Sequence, residues 1–281
     1  MNVGVFLLTS DPTTDPAVIA KKAEEVGFAS FWVPEHPIIP IKFSTGYPGA
    51  RDGRIPEGAK RIADPFVALA RVSAVTTKIQ LGTGICLVPE RNPLLLAKEI
   101  ASLDNYSGGR FLFGIGAGWL KEETEIFGAN FPRRWSVTRE AVLAMKELWT
   151  KDEAEFHGDF IDFPPVKSHP KPVQKPHPPI LLGGAAKNVL QRVVAYGDGW
   201  MPTRMSPERL QENRNRLNEL ATAAGRDPAT LPIRVFGAPN DADAKKRYED
   251  AGAQAMVILL PPTKPDEAVR ILEDTAQRLI A

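Results

Sequence analysis

Apolar positions along this chain follow two alternating patterns. Short continuous runs, "VGVFLL", "FASFWV", "IQLGTG", "RFLFGIG", "PILLGG", "GWMP", "PIRVFG" and "QAMVILL", recur from the N-terminal end to the C-terminal third. Continuous rather than alternating hydrophobicity is the mark of parallel strands buried on both faces. Between them the spacing changes to that of helices. Ile19, Ala23 and Val26 follow Pro16 and stop at Gly27, and Leu96, Ile100 and Leu103 follow Pro93 and stop at Gly108-Gly109. Val269, Leu272, Ala276 and Leu279 mark a last helix. Asp15-Pro16, Asp64-Pro65, Asn92-Pro93 and Ser206-Pro207 each join a capping side chain to a proline suited to the first helical position. Eight strands alternating with helices predict an α/β protein, a single (β/α)8 barrel over residues 1–281.

Two insertions interrupt the alternation. Residues 34–63 separate the second strand from its helix, and a loop that long in a compact domain is usually functional. Residues 150–178 hold "EFHGDFIDF", predicted as a hairpin around Gly158, and then "PPVKSHPKPVQKPHPP". This second insertion joins a helix end to strand five, so it is expected toward the face opposite the strand exits, in packing or assembly.

Composition narrows the class. Lys+Arg 35 against Asp+Glu 34 gives a net charge of +1, which argues against a general nucleic-acid or membrane footprint. The single cysteine, Cys86, excludes an internal disulfide and fits a reducing cytoplasm. The opening "MNVGVFLLTSDP" lacks a basic start and is expected to be the first strand of a soluble, cytoplasmic protein. His157, His169 and His177 lie 12 and 8 apart around prolines, with no ligand at i+3 or i+4, so no metal site is expected.

Barrel active sites lie at the C-terminal ends of the strands. Glu35-His36 ends strand two, Gly84-Ile85-Cys86 strand three, and Gly116-Ala117-Gly118-Trp119 strand four; Gly183-Gly184 ends strand five, and Arg204 follows strand six. All should meet at one mouth. "FWVPEHPIIP" sets an acid and an imidazole between stiffening prolines, either as an ordinary polar turn or as a binding site. In "LLGGAAKNVLQRV" two glycines permit close backbone approach, and a helix starting near Ala185 would offer free N–H groups to a phosphate; a tight packing turn is the other reading. Gly114, Gly116 and Gly118 approach a dinucleotide fingerprint, but the third spacing is wrong and the motif ends the fourth strand, so that reading fails. Lys42, Arg51, Arg54, Lys60 and Arg61 make the first insertion basic.

Several segments together resemble the luciferase-like family of flavin and deazaflavin oxidoreductases: "FASFWVPEH", "TTKIQLGTGICLVPERNPLLLAKEIASLDNYSGGRFLFGIGAGW", "HPPILLGG" and "AYGDGWMP". The resemblance is nearest to the branch that uses coenzyme F420. It implies a (β/α)8 TIM barrel, usually a homodimer, with the ring of F420 (alternatively FMN) at the mouth. On it, His36 would lie beside the ring and exchange protons with the substrate, with Glu35 as its acidic neighbour. Gly84-Ile85 would be a non-prolyl cis bond behind the ring, flanked by Cys86, Ala117 and Gly118. Leu182, Gly183, Gly184 and Ala185 would hold the phosphate. Trp119 stands where the sugar-phosphate branch carries a glutamate, which implies a more apolar substrate, with Arg204 also at the pocket. The implied activity is hydride transfer between F420 and a small organic molecule. An FMN monooxygenase using oxygen, and a binding protein without turnover, remain the alternatives.

Overall fold

A computed structural model describes residues 1–8, 15–48 and 52–280. The chain order is β1 (Asn2–Leu7), α1 (Pro16–Glu25), β2 (Ser30–Val33), α2 (Pro65–Ser73), β3 (Gln80–Thr83), a two-residue β4 (Cys86–Leu87), α3 (Pro93–Ser107) and β5 (Phe111–Gly116). There follow α4 (Lys121–Ile126), α5 (Arg134–Thr150), β6 (Ala154–His157), β7 (Asp162–Val166), β8 (Ile180–Gly183), α6 (Val189–Tyr196), β9 (Gly199–Met201), α7 (Pro207–Ala223), β10 (Arg234–Phe236), α8 (Ala242–Asp250), β11 (Ala255–Leu260) and α9 (Pro265–Leu279). All eight expected strands are present. They pair in parallel in the order β10-β11-β1-β2-β3-β5-β8-β9, with β4 added beside β5. Parallel bridges Trp200↔Ile233 and Thr203↔Phe236 join β9 to β10 and bring the sheet round into a nearly closed barrel.

The proline-marked helix starts behave as their chemistry requires. Asp15 accepts from the Ala17 N–H at 2.9 Å, Asp64 from Phe66 and Val67, and Asn92 from Leu94 and Leu95. Each cap satisfies donors that the first helical turn leaves free. Gly108 closes α3 in the left-handed region, at φ 67°.

The core has two parts. Inside the barrel lie Phe6, Trp32, Leu112, Leu181, Met201, Phe236 and Val257. β3 contributes Gly82 there, because the Trp32 ring occupies the space a Cβ would need. Outside, a larger cluster packs the strands against the helices. The second insertion contains the expected antiparallel hairpin, β6–β7. Its proline-rich part lies where expected, with Gln174 bonded to Asp104 and to the Phe111 carbonyl at the N-terminal end of β5. The hairpin tip differs. The N–H groups of Asp159, Phe160 and Ile161 bond to Glu140, near the start of α5, so the tip climbs toward the strand exits. Among the described residues, no helix is long and apolar enough to cross a membrane.

Candidate active site

The exits of β2, β3, β5, β8 and β9 converge as the strand order demands. His36 stands just past the end of β2. Its Nδ1 lies 2.7 Å from Glu123 Oε2, and Trp119 Nε1 donates to its Nε2 at 3.1 Å. These two contacts determine the tautomer. An indole N–H can only donate, so Nε2 must carry the lone pair, and the neutral ring must hold its proton on Nδ1, directed at the carboxylate. Trp119 meets His36 edge-on and Tyr47 edge-on as well, at centroid distances of 5.7 and 5.5 Å.

The short helix α4 organises this corner. Glu123 also accepts from the Ile38 N–H, and Glu122 accepts from both the N–H and the hydroxyl of Ser44 at 2.8 Å. Two consecutive acids thereby fasten the first insertion to the exit of β5. Glu90 is buried nearby; one oxygen accepts from Thr124, and the other has no hydrogen-bond partner among the described residues. Burial and the charge of Glu123 push its pKa up to about 8.

Glu35 points elsewhere. Its two oxygens accept from the Leu87 N–H at 2.6 Å and from Arg91, which also reaches Asp64 and Glu99. Burial opposes the Arg91 charge, but the Glu35 carboxylate beside it outweighs that and holds its pKa above the usual value. Glu35 thus fixes the β2 exit to the segment after β4. A cleft of about 200 Å³ lies between the two ends of the insertion, lined by His36, Pro37, Ile62 and Asp64.

The floor of the mouth is Ile85. The Gly84–Ile85 peptide bond is cis, as the resemblance implies. A Cβ on Gly116 would overlap the Ile85 Cδ1, and one on Gly183 would come within 2.6 Å of its Cγ2. These glycines make room for Ile85 rather than for a ligand directly. On its Cα side Gly183 therefore faces Ile85.

Gly184 is the open one: at φ +86°, nothing lies within 4 Å of where its Cβ would be. The turn Ala185–Asn188 that follows is exposed. Here one expectation is corrected, because α6 begins at Val189 and not near Ala185. Asn188 sits at its N-cap without a side-chain bond, so the first-turn N–H groups have no side-chain cap.

Other expected contacts move off the mouth. Cys86 is fully enclosed in the outer core, with its thiol pushed well up by burial, because alternation along the strand turns it toward the helices. Leu182 likewise belongs to the outer cluster, so only its backbone could approach a ligand there. Ala117 is buried, whereas Gly118 is half-buried at φ +79° beside Glu90 and Thr124. Arg204 stands exposed on the rim, its N–H bonded to the Phe236 carbonyl. In the basic insertion, Arg54 and Lys60 pair with Asp52 and Glu57, and Arg51 lies outside the described residues.

Sequence reasoning missed Glu123, Glu90 and Arg91. The available signal was two acids just past the glycine-rich exit of β5, in "GWLKEE", and "PER" after β4.

Comparison with known proteins agrees with this architecture. The family model described as luciferase-like monooxygenase matches residues 1–279. An uncharacterized protein of Mycobacterium tuberculosis (strain H37Rv) is 37% identical, over 99% of both chains. An FMNH2-dependent dimethylsulfone monooxygenase of Pseudomonas putida is 27% identical over 82% of this chain and 59% of its own. Among solved structures, the coenzyme F420-dependent tetrahydromethanopterin reductase of Methanopyrus kandleri superimposes with a TM-score of 0.78, at 18% identity, over 99% of this chain and 98% of that one.

Proposed function

The chain belongs to the luciferase-like monooxygenase family, and on that premise we propose that it is an oxidoreductase moving a hydride between coenzyme F420 and a small, fairly apolar organic molecule. One observation carries the reading: His36 is held at the exit of β2 in a single tautomer, its Nδ1 on Glu123 and its Nε2 lone pair accepting from Trp119.

The residues present fit a flat ring with an anionic tail. The half-buried Ile85, seated on Gly116 and Gly183, offers an apolar platform, and the open Gly184 turn with its uncapped helix offers N–H groups to a phosphate. The Ala185 backbone extends that turn, and the resemblance sets Gly84 and Gly118 on the ring's side of the mouth. F420, when bound, supplies the site that gives or takes the hydride.

The chain's own groups do the rest. His36 exchanges a proton at Nε2 with the substrate oxygen or nitrogen, displacing the Trp119 N–H as it does so. Glu123 keeps Nδ1 protonated and steadies the imidazolium that results, the role of a positioning residue. Glu35 holds the β2 exit in place through Leu87 and Arg91. Ile38, Ile41 and Phe43 expose apolar surface on the insertion beside this corner, which suits an apolar substrate.

The test is a side-by-side titration of the purified protein with F420 and FMN, read by absorption and fluorescence, followed by turnover of His36→Ala. F420 binding with His36→Ala down by ~10²–10⁴ in turnover and nearly unchanged in affinity is the expected result. FMN binding alone would replace the reading with the monooxygenase one, which the Pseudomonas relative favours. Unchanged turnover of a saturated His36→Ala enzyme would remove the proton-transfer role.

A further inference from the structure

Outside the barrel wall, a cavity of about 270 Å³ opens between the first turns of α6 and the length of α7. Three cations line it, Lys187, Arg209 and Arg216, and no acid does. Arg216 is paired at one edge with Glu219, 2.8 Å away. Lys187 and Arg209 pair with no carboxylate among the described residues; of the three α7 acids, Glu219 holds Arg216, Glu208 is turned to Arg247 on α8, and Glu212 is exposed and is not part of the cavity lining. The uncapped start of α6 adds N–H donors on the same side. The cavity wall includes Trp200, whose indole N–H donates to the Gly184 carbonyl at 2.8 Å. One side chain therefore ties the cavity to the turn where the cofactor phosphate is placed above.

We propose that this groove is an anion site that receives the oligocarboxylate tail of the cofactor beyond its phosphate. The inference rests on the F420 reading and adds the path of the tail. Placement favours the groove over the first insertion, where Arg54 and Lys60 are matched by Asp52 and Glu57 and the cleft is lined by Glu35 and Asp64 rather than by Lys or Arg. It also favours a tailed ligand over a bare phosphate, since the cations extend from Lys187, beside the turn, to Arg216, more than two turns into α7.

The experiment measures dissociation constants for four probes: the deazaflavin riboside lacking phosphate and tail, F420 with one glutamate, F420 with five or six, and FMN. Each is titrated into the parent, Arg209→Ala/Arg216→Ala and Arg209→Lys/Arg216→Lys, at low and at moderate salt. Exposed ion pairs contribute modestly each, so the long tail should bind the parent roughly 3- to 30-fold tighter than the short one. That advantage should shrink with salt, vanish in the alanine pair and return in the lysine pair, while riboside affinity stays constant and shows the mouth intact. Equal affinity for both tail lengths in the parent, or an advantage that survives in the alanine pair, overturns the groove while leaving F420 as cofactor. Binding of FMN with no deazaflavin bound overturns both.

Discussion

Glu90 is a carboxyl that its surroundings keep protonated at neutral pH. Burial acts first and the Glu123 charge second, raising it from an ordinary 4.5 to about 8; Glu35 adds to this, and the Thr124 hydroxyl and Arg91 oppose it. In the unfolded chain the same group ionises near 4.5. Its contribution to stability is therefore fully present below pH 4.5 and is lost as the pH rises toward 8. Glu90→Gln, which keeps the shape and never ionises, should flatten stability across pH 5–8, where the parent loses up to about 1.4 kcal/mol per pH unit from this group. Urea midpoints measured for both proteins across that range check it, and parallel curves would refute it. At this scale the sequence was half legible. His36 could be found because a strand end next to a long insertion is a place with few packing reasons for an imidazole. Glu123 was harder to find, because an acid in the first turn of a helix is already explained by the helix dipole, and only its place just past the β5 exit marked it. Its pairing with a histidine 87 positions away leaves no local trace.

The strand exits act together through Ile85, which fits only because β5 and β8 carry glycine where it leans on them. Gly116→Ala should cost ~1–3 kcal/mol by overpacking, and Ile85→Ala in the same chain should recover much of that. A double-mutant cycle on unfolding free energy measures the coupling, and additive effects would show that the two do not share the space. Helix starts show where element boundaries can be read. The four Asp-, Asn- or Ser-Pro starts stand where their caps put them, since cap and proline both act within the first turn. α6 begins four residues later than the glycines suggest. Gly184 takes a left-handed turn that sends the chain through Ala185–Asn188 first, and Asn188 was the better marker. Tertiary turns of this kind depend on what lies below them, here Trp200 holding the Gly184 carbonyl.

On the whole molecule, α2 and α3 leave an apolar face uncovered. Val67 on α2 and Leu95 and Tyr106 on α3 are 70%, 59% and 77% exposed. Leu95 and Tyr106 are eleven residues apart, three full helical turns, so they share one stripe. We propose that a second copy of the chain covers this face. Light scattering should give twice the 30.8 kDa chain mass for the parent and a shift toward monomer for Leu95→Glu/Tyr106→Glu; a monomeric parent would refute it. The barrel wall itself is uneven. β1 and β11 pair over six residues, whereas β9 meets β10 only at the two bridges. Pro202 and Pro232 stand at that junction and accept from Phe236 and Trp200 but have no N–H to offer in return. The wall should therefore breathe at this seam before anywhere else. Backbone amides of Trp200, Arg204 and Phe236 should exchange with deuterium well ahead of those of β1 and β11, through openings too small to unfold the protein. Because the seam runs beside both Trp200 and the mouth, a bound cofactor should slow that exchange, so the protein's loosest joint would also report on its occupancy.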